Sequence, residues 1–249
     1  MENLNKTDIQ LRFLTEEEIK LKLLLNVPID IGNGCLFKSP KIVDIISMTE
    51  SDYNKCLSAI LFDKSSLGAS DLDDISNFEV LMSILYSNEE FRNYFLEGIK
   101  LHIDDIPLIT EEGLFCIGES LTINEELFNY IVKLVKIANN IVIEKKEELD
   151  FANERARKFM EEQAKRKALV DSYKKKKVTL YSMLSGIGWI TSTFKDLGEL
   201  TIYQIYEANS RIHKIESIKN INRGISAGVY DGSKLKDEEL DFTSVINTK

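Results

Sequence analysis

The densest set of potential ligands in the sequence is Asp71-Leu72-Asp73-Asp74, where three carboxylates within four residues could hold a divalent cation. An EF-hand loop starting at Asp71 requires glycine at position 76 and glutamate at position 82, and the chain has Ser76 and Met82, so the calcium pattern fails. Acidic residues opening a helix offset its dipole, which is the better account of this cluster. His102 and His213 are the only histidines, and neither has a second histidine or a cysteine at ligand spacing. Gly186-Ile187-Gly188-Trp189 begins like a glycine-rich phosphate loop but lacks the third glycine of a dinucleotide fingerprint and the lysine of a P-loop, so close helix approach or a turn explains it better. Cys35, Cys56 and Cys116 are odd in number and far apart, which fits neither a disulfide framework nor a zinc knuckle and points to reduced thiols. The types and spacings therefore predict no catalytic residue, no metal ligand and no cofactor.

The elements that would carry these residues are mostly helical. Thr15 with Glu18 spells a capping box, yet Ile19, Leu21 and Leu23 alternate as in a strand, and the pattern leaves both readings open. Val27–Ile31 and Cys35–Phe37 flank Gly32-Asn33-Gly34 and predict a β-hairpin. Ser39-Pro40 is expected to open a helix, with serine as N-cap and proline at the first helical position. Thr49 caps the next helix, an apolar period of three and four runs from Leu72 to Tyr86, and Ser87 with Glu90 forms a further capping box. A second hairpin is expected over 107–118, followed by a helix capped at Asn124. After residue 177 an apolar pattern resumes through Trp189 and Ile190, and again from Leu200 through Ile218.

Charge divides the chain into three. Residues 1–143 carry a net −12, residues 144–177 a net +4, and residues 178–249 a net −1, for −9 in 249 residues. The middle segment contains no Pro or Gly and is charged at 20 of its 34 positions. It reads as a long solvated helix with a thin stripe suited to one neighbouring helix, whether as a connecting rod, a self-association arm or a docking arm. The predicted fold class is mainly α with small β-hairpins (α+β): an acidic α+β domain over 1–143, a charged helical arm over 144–177, and a helical C-terminal region with a polar tail over 178–249. The N-terminus lacks a signal-peptide pattern and no stretch reaches the roughly 20 apolar residues of a membrane span, so a soluble, cytoplasmic protein without membrane contact is expected.

Three stretches resemble a known kind of protein: Val27-Pro28-Ile29-Asp30 through Ser39-Pro40-Lys41-Ile42-Val43-Asp44-Ile45 with Tyr53, then Phe151–Met160, then Leu200-Thr201-Ile202-Tyr203-Gln204-Ile205-Tyr206-Glu207. In that order they resemble proteins of the tail-morphogenesis region of phages and prophages of low-GC Gram-positive bacteria, of the tail-assembly-chaperone kind. The resemblance implies a non-enzymatic assembly factor in the bacterial host cytoplasm that binds the tape-measure protein, keeps its long helices soluble and helps recruit tail-tube subunits. Such chaperones are often made as short and frameshifted long forms. The motifs are structural, so no site residue transfers. From the residues themselves, Phe159 and Met160 on the arm and Ile202, Tyr203 and Tyr206 on the C-terminal helix are the candidate partner contacts. A virion component such as a connector or tail subunit is the alternative, and a nucleic-acid-binding host-takeover protein would have to rest on Lys174-Lys175-Lys176-Lys177.

Because that basic run is attached to an acidic domain, nucleic acid is not the expected partner, and any DNA affinity should be weak and should collapse as ionic strength rises to ~150 mM. A binding isotherm repeated across salt concentrations checks this; tight, sequence-selective binding at that ionic strength would overturn it.

Overall fold

The computed structural model describes residues 13–67, 74–111, 113–118, 121–141, 178–191, 193–229 and 240–241. Eight helices and two small antiparallel sheets make up the described residues, a mainly α fold with small β-hairpins. The charged arm, with Phe159 and Met160, and the cluster Asp71–Asp73 lie outside them.

The first element is a helix, α1 (Glu16–Leu24), and its capping box decides between the two patterns: Thr15 Oγ1 accepts from Glu18 N–H, and the Glu18 carboxylate accepts from Thr15 N–H at 2.8 Å. Ile19 and Leu23, one turn apart, are buried, and Leu21 between them faces out. The hairpin follows as β1 (Ile29–Gly32) and β2 (Cys35–Phe37), with Asn33 and Gly34 at φ 50° and 80° in the turn.

The expected cap at Ser39 is corrected. Helix α2 (Ile42–Met48) begins two residues later than expected, with Lys41 at the N-cap position and no side-chain capping bond, because Ser39 and Pro40 are engaged elsewhere. Thr49 caps α3 (Glu50–Ile60) through Asp52 N–H, as expected, at φ 90°. Helix α4 (Asn77–Ser87) starts later than the apolar period suggests, behind a Ser76–Glu79 capping box. The next cap is also corrected: Asn88, not Ser87, caps α5 (Glu89–His102) by accepting from Phe91 N–H, while the Ser87 hydroxyl donates back to the Ser83 carbonyl within α4. Strands β3 (Pro107–Ile109) and β4 (Phe115–Ile117) form the second hairpin, and a short β5 (Leu121–Thr122), not foreseen from the sequence, extends it to three strands. Asn124 then caps α6 (Glu125–Ala138), which buries eight side chains.

The main core gathers α1, the hairpin, α3 to α6 and the three-stranded sheet around Phe95, Phe115 and Phe128, with Phe95 meeting Phe115 edge to face at 5.2 Å. Gly98 of α5 lies against α3 so closely that an added Cβ would sit 2.8 Å from Ile60 Cδ1.

The chain after the arm folds against the part before it. Helices α7 (Leu180–Thr191) and α8 (Ile202–Ser226) are joined through a 3-10 turn at Leu197–Glu199, and a second core forms from Ile42, Ile45 and Tyr53 with Leu180, Met183, Ile187, Leu197, Ile202 and Ile205. A short antiparallel bridge aligns them: Ile42 N–H donates to Leu200 O at 2.9 Å, and Ile202 N–H donates to Pro40 O at 2.8 Å. Ser39 Oγ accepts from Tyr203 N–H at 3.3 Å, so the serine expected to cap α2 caps the first turn of α8 instead. Removing that acceptor strands a buried donor. Ser39→Ala should lower unfolding free energy by about 1–3 kcal/mol in urea titration with an unchanged m-value.

Candidate partner-binding site

The first five residues of α8 include three of the five candidate contacts, and the first turn is where the helix is anchored. Thr201 closes a capping box with Gln204, accepting from Gln204 N–H at 3.3 Å while Gln204 Oε1 accepts from Thr201 N–H at 2.9 Å. Gln204 also donates from Nε2 to Leu24 O at the end of α1. Ile202 is buried in the second core and Tyr203 in the main core. Both side chains are packed inside their own chain, with 2% of Ile202 and 7% of Tyr203 exposed. Tyr206 is half-buried beside the second core, and burial, followed by the nearby Glu50 carboxylate, raises its phenol above the usual value.

Beyond this turn the helix changes character. Its 25 residues span roughly 37 Å at 1.5 Å per residue, yet its buried side chains are confined to Ile202, Tyr203 and Ile205. Ile212 still rests on the second core, and Ile215, Ile218, Ile221 and Ile225 continue at spacings of three and four with only partial cover. The sequence pattern showed Ile212, Ile215 and Ile218 in phase; it could not show that the fold stops covering them.

The titratable groups are placed for packing. His102 is fully buried at the end of α5, its ring stacked with Phe37 at 5.7 Å and with Tyr53 at 6.5 Å. Its Nδ1 lies 2.8 Å from the Gly98 carbonyl, which can only accept, so Nδ1 carries the proton and Nε2 is bare, with no hydrogen-bond partner among the described residues. Burial pushes the imidazole pKa down to about 4. Tyr53 donates to Asn139 Oδ1 at 2.7 Å, a buried bond from α3 to the end of α6, and desolvation raises its phenol well above the usual range. Cys56 is pushed up to about 11 by burial, and Cys35 is raised by burial and by Asp105, so neither thiol is held as a ready thiolate. No group of three or more His, Cys, Asp or Glu side chains able to hold a metal occurs among the described residues. None of their helices is long and apolar enough to cross a membrane.

An open groove of about 650 Å³ runs between α3 and α5, with Ala59, Phe91 and Tyr94 on its floor and Glu50 and Thr179 at one end. Lys55 spans it, donating to Asp52 at 3.0 Å and to the Tyr94 hydroxyl at 3.1 Å, with its ammonium 5.1 Å from the centre of the Tyr94 ring. At the same end Glu50 accepts from Leu180 N–H, which places a carboxylate at the positive end of α7.

Residues 173–247 match the family model of the YomV second domain, a phage-associated family. The match covers α7 and α8, less than half of the chain, and supports a phage origin. No curated protein and no solved structure matches the chain.

His102 makes the fold sensitive to acid. Its folded pKa lies below the ordinary histidine value of about 6.5, so the unfolded chain binds the extra proton first, and stability falls as pH drops from about 6.5 towards 4. The loss should approach about 3 kcal/mol across that window. Urea unfolding at successive pH values checks it, and His102→Phe should flatten this part of the profile.

Proposed function

We propose that the protein is a non-enzymatic phage assembly factor of the tail-assembly-chaperone type, acting in the host cytoplasm by binding the helical tape-measure protein, with tail-tube subunits as further contacts. The observation that carries this reading is the phage-associated match over 173–247, because it falls on the part of the chain that displays a partly covered helical ridge. Ile215, Ile218, Ile221 and Ile225 offer an apolar strip against which an amphipathic helix of a client can pack. Tyr206 lies closer to the core, half-buried beside the second cluster, and the first turn of α8 anchors the helix to both cores. The role of the buried contacts is thus to hold the ridge in place. Phe159 and Met160 remain the arm's candidate contacts, and self-association through the arm belongs to the same proposal.

Co-expression with the tape-measure-like product of a neighbouring reading frame tests it. A complex that co-purifies, with more of the client in the soluble fraction, is expected, and Ile215→Glu should abolish co-purification while leaving the circular dichroism spectrum and melting temperature unchanged. Failure of the wild-type chain to bind or solubilise that product would sink the chaperone reading and leave a virion component ahead, testable by searching purified particles for the protein.

A further inference from the structure

Residues 178–194 (Val178-Thr179-Leu180 through Phe194) contain no charged side chain, in a chain where 29% of residues are charged. A helix that is apolar or neutral all round is ordinarily buried all round. Here α7 buries only Leu180, Met183, Ile187 and Gly188. Its opposite face is open: Tyr181 is 80% exposed, Trp189 76% and Ile190 60%, and Phe194, folded back over Gly188 and edge-on to the Trp189 ring at 6.0 Å, is 54% exposed. Along the centre of that face lie Ser182, Ser185, Gly186 and Trp189, at i, i+3, i+4 and i+7, the spacing of a helix–helix seam.

We propose that this face is a homotypic contact, in which two copies of the chain meet antiparallel across α7. The pattern is self-complementary. A two-fold axis passing between Ser185 and Gly186 places Trp189 of each copy over Ser182 of the other, the reciprocal matching an isologous interface requires. The centre is small enough for close approach, since a Cβ added at Gly186 would meet nothing within 4 Å. Covering Ser182 strands no polar group, because its hydroxyl already donates to Thr179 O at 2.8 Å and accepts from Thr179 N–H at 3.1 Å. Area and charge both favour a second copy as the occupant. The exposed parts of three aromatic rings, Ile190 and Val178 amount to roughly 600 Å² per copy, or about 1,200 Å² for the pair, which reaches the lower bound for a specific interface. Each copy carries a net −9, and this uncharged run is a surface on which two such chains can approach without placing like charges against each other. The contact does not depend on the identity of any client.

Trp189 is the only tryptophan, so its emission reports on this face alone. With the full chain, sedimentation should show a dimer at high concentration that dissociates on dilution, with Trp189 emission shifting red and acrylamide quenching rising over the same range. Salt should tighten the dimer, because it screens the repulsion between two acidic copies. Gly186→Glu exchanges a helical glycine for a better helix former, so its fold should be intact by circular dichroism while its dissociation constant rises at least tenfold; Ile190→Glu should act in the same direction. Three results would each overturn the proposal: a monomer at all concentrations with Trp189 exposed, a monomer with Trp189 shielded at every dilution, which would mean that the chain covers its own face, or a Gly186→Glu variant that dimerises like the wild type.

Discussion

The reciprocal pair of backbone hydrogen bonds between Pro40–Ile42 and Leu200–Ile202 is the constraint on which the arrangement of the two cores depends. A helix leaves its first N–H groups without partners, and burying that end is tolerable only if something supplies acceptors. For α8 they come from two directions. Thr201 supplies one locally, and Ser39 and Pro40, more than 150 residues earlier, supply two more. Because these acceptors point along fixed directions, the helix axis is set where it leaves the core.

Two consequences follow. Ile202 and Ile205 close the second core against Ile42 and Ile45, while Tyr203 reaches the main core, so one helical turn ties both hydrophobic clusters together. The same anchoring projects the rest of α8 outward. Apolar side chains buried at its base contribute stability, and the isoleucines further along are only partly covered. The buried anchor and the partly covered strip are consecutive stretches of one helix, separated by distance from the core rather than by residue type.

The buried polar groups follow the same economy of directed bonds. Tyr53 and Asn139 satisfy each other across α3 and α6, and Asn139 also donates to Val135 O, so a tyrosine and an amide sit inside the protein with their polar atoms paired. His102 departs from this pattern. Its ring is neutral because burial disfavours the charged form, and the helix it ends supplies one acceptor and no donor for the second nitrogen. It behaves as a flat, nearly apolar plate between Phe37 and Tyr53.

What the sequence by itself determined was local: the mainly α class with small hairpins, the Asn33-Gly34 turn, and the caps at Thr49 and Asn124, each of which acts on an N–H group three residues away and so is written in adjacent residues; at Thr15 a capping box competed with an alternating pattern, and the structure decided for the helix. Where two caps competed within one residue, as at Ser87 and Asn88, adjacency was not enough; the asparagine carbonyl reaches the next helix, and the serine hydroxyl turns back into the last one. Ser39-Pro40 was a sound local signal with a distant use, because an acceptor serves whichever buried N–H the fold brings to it, and that partner lay 164 positions away. The candidate contacts divide on the same ground. Ile202, Tyr203 and Tyr206 fall within two turns of one helix, and only the tertiary structure decided that the first two are buried and Tyr206 half-buried, because burial is set by where the neighbouring α1, α2 and α7 end and not by the pattern along α8 itself.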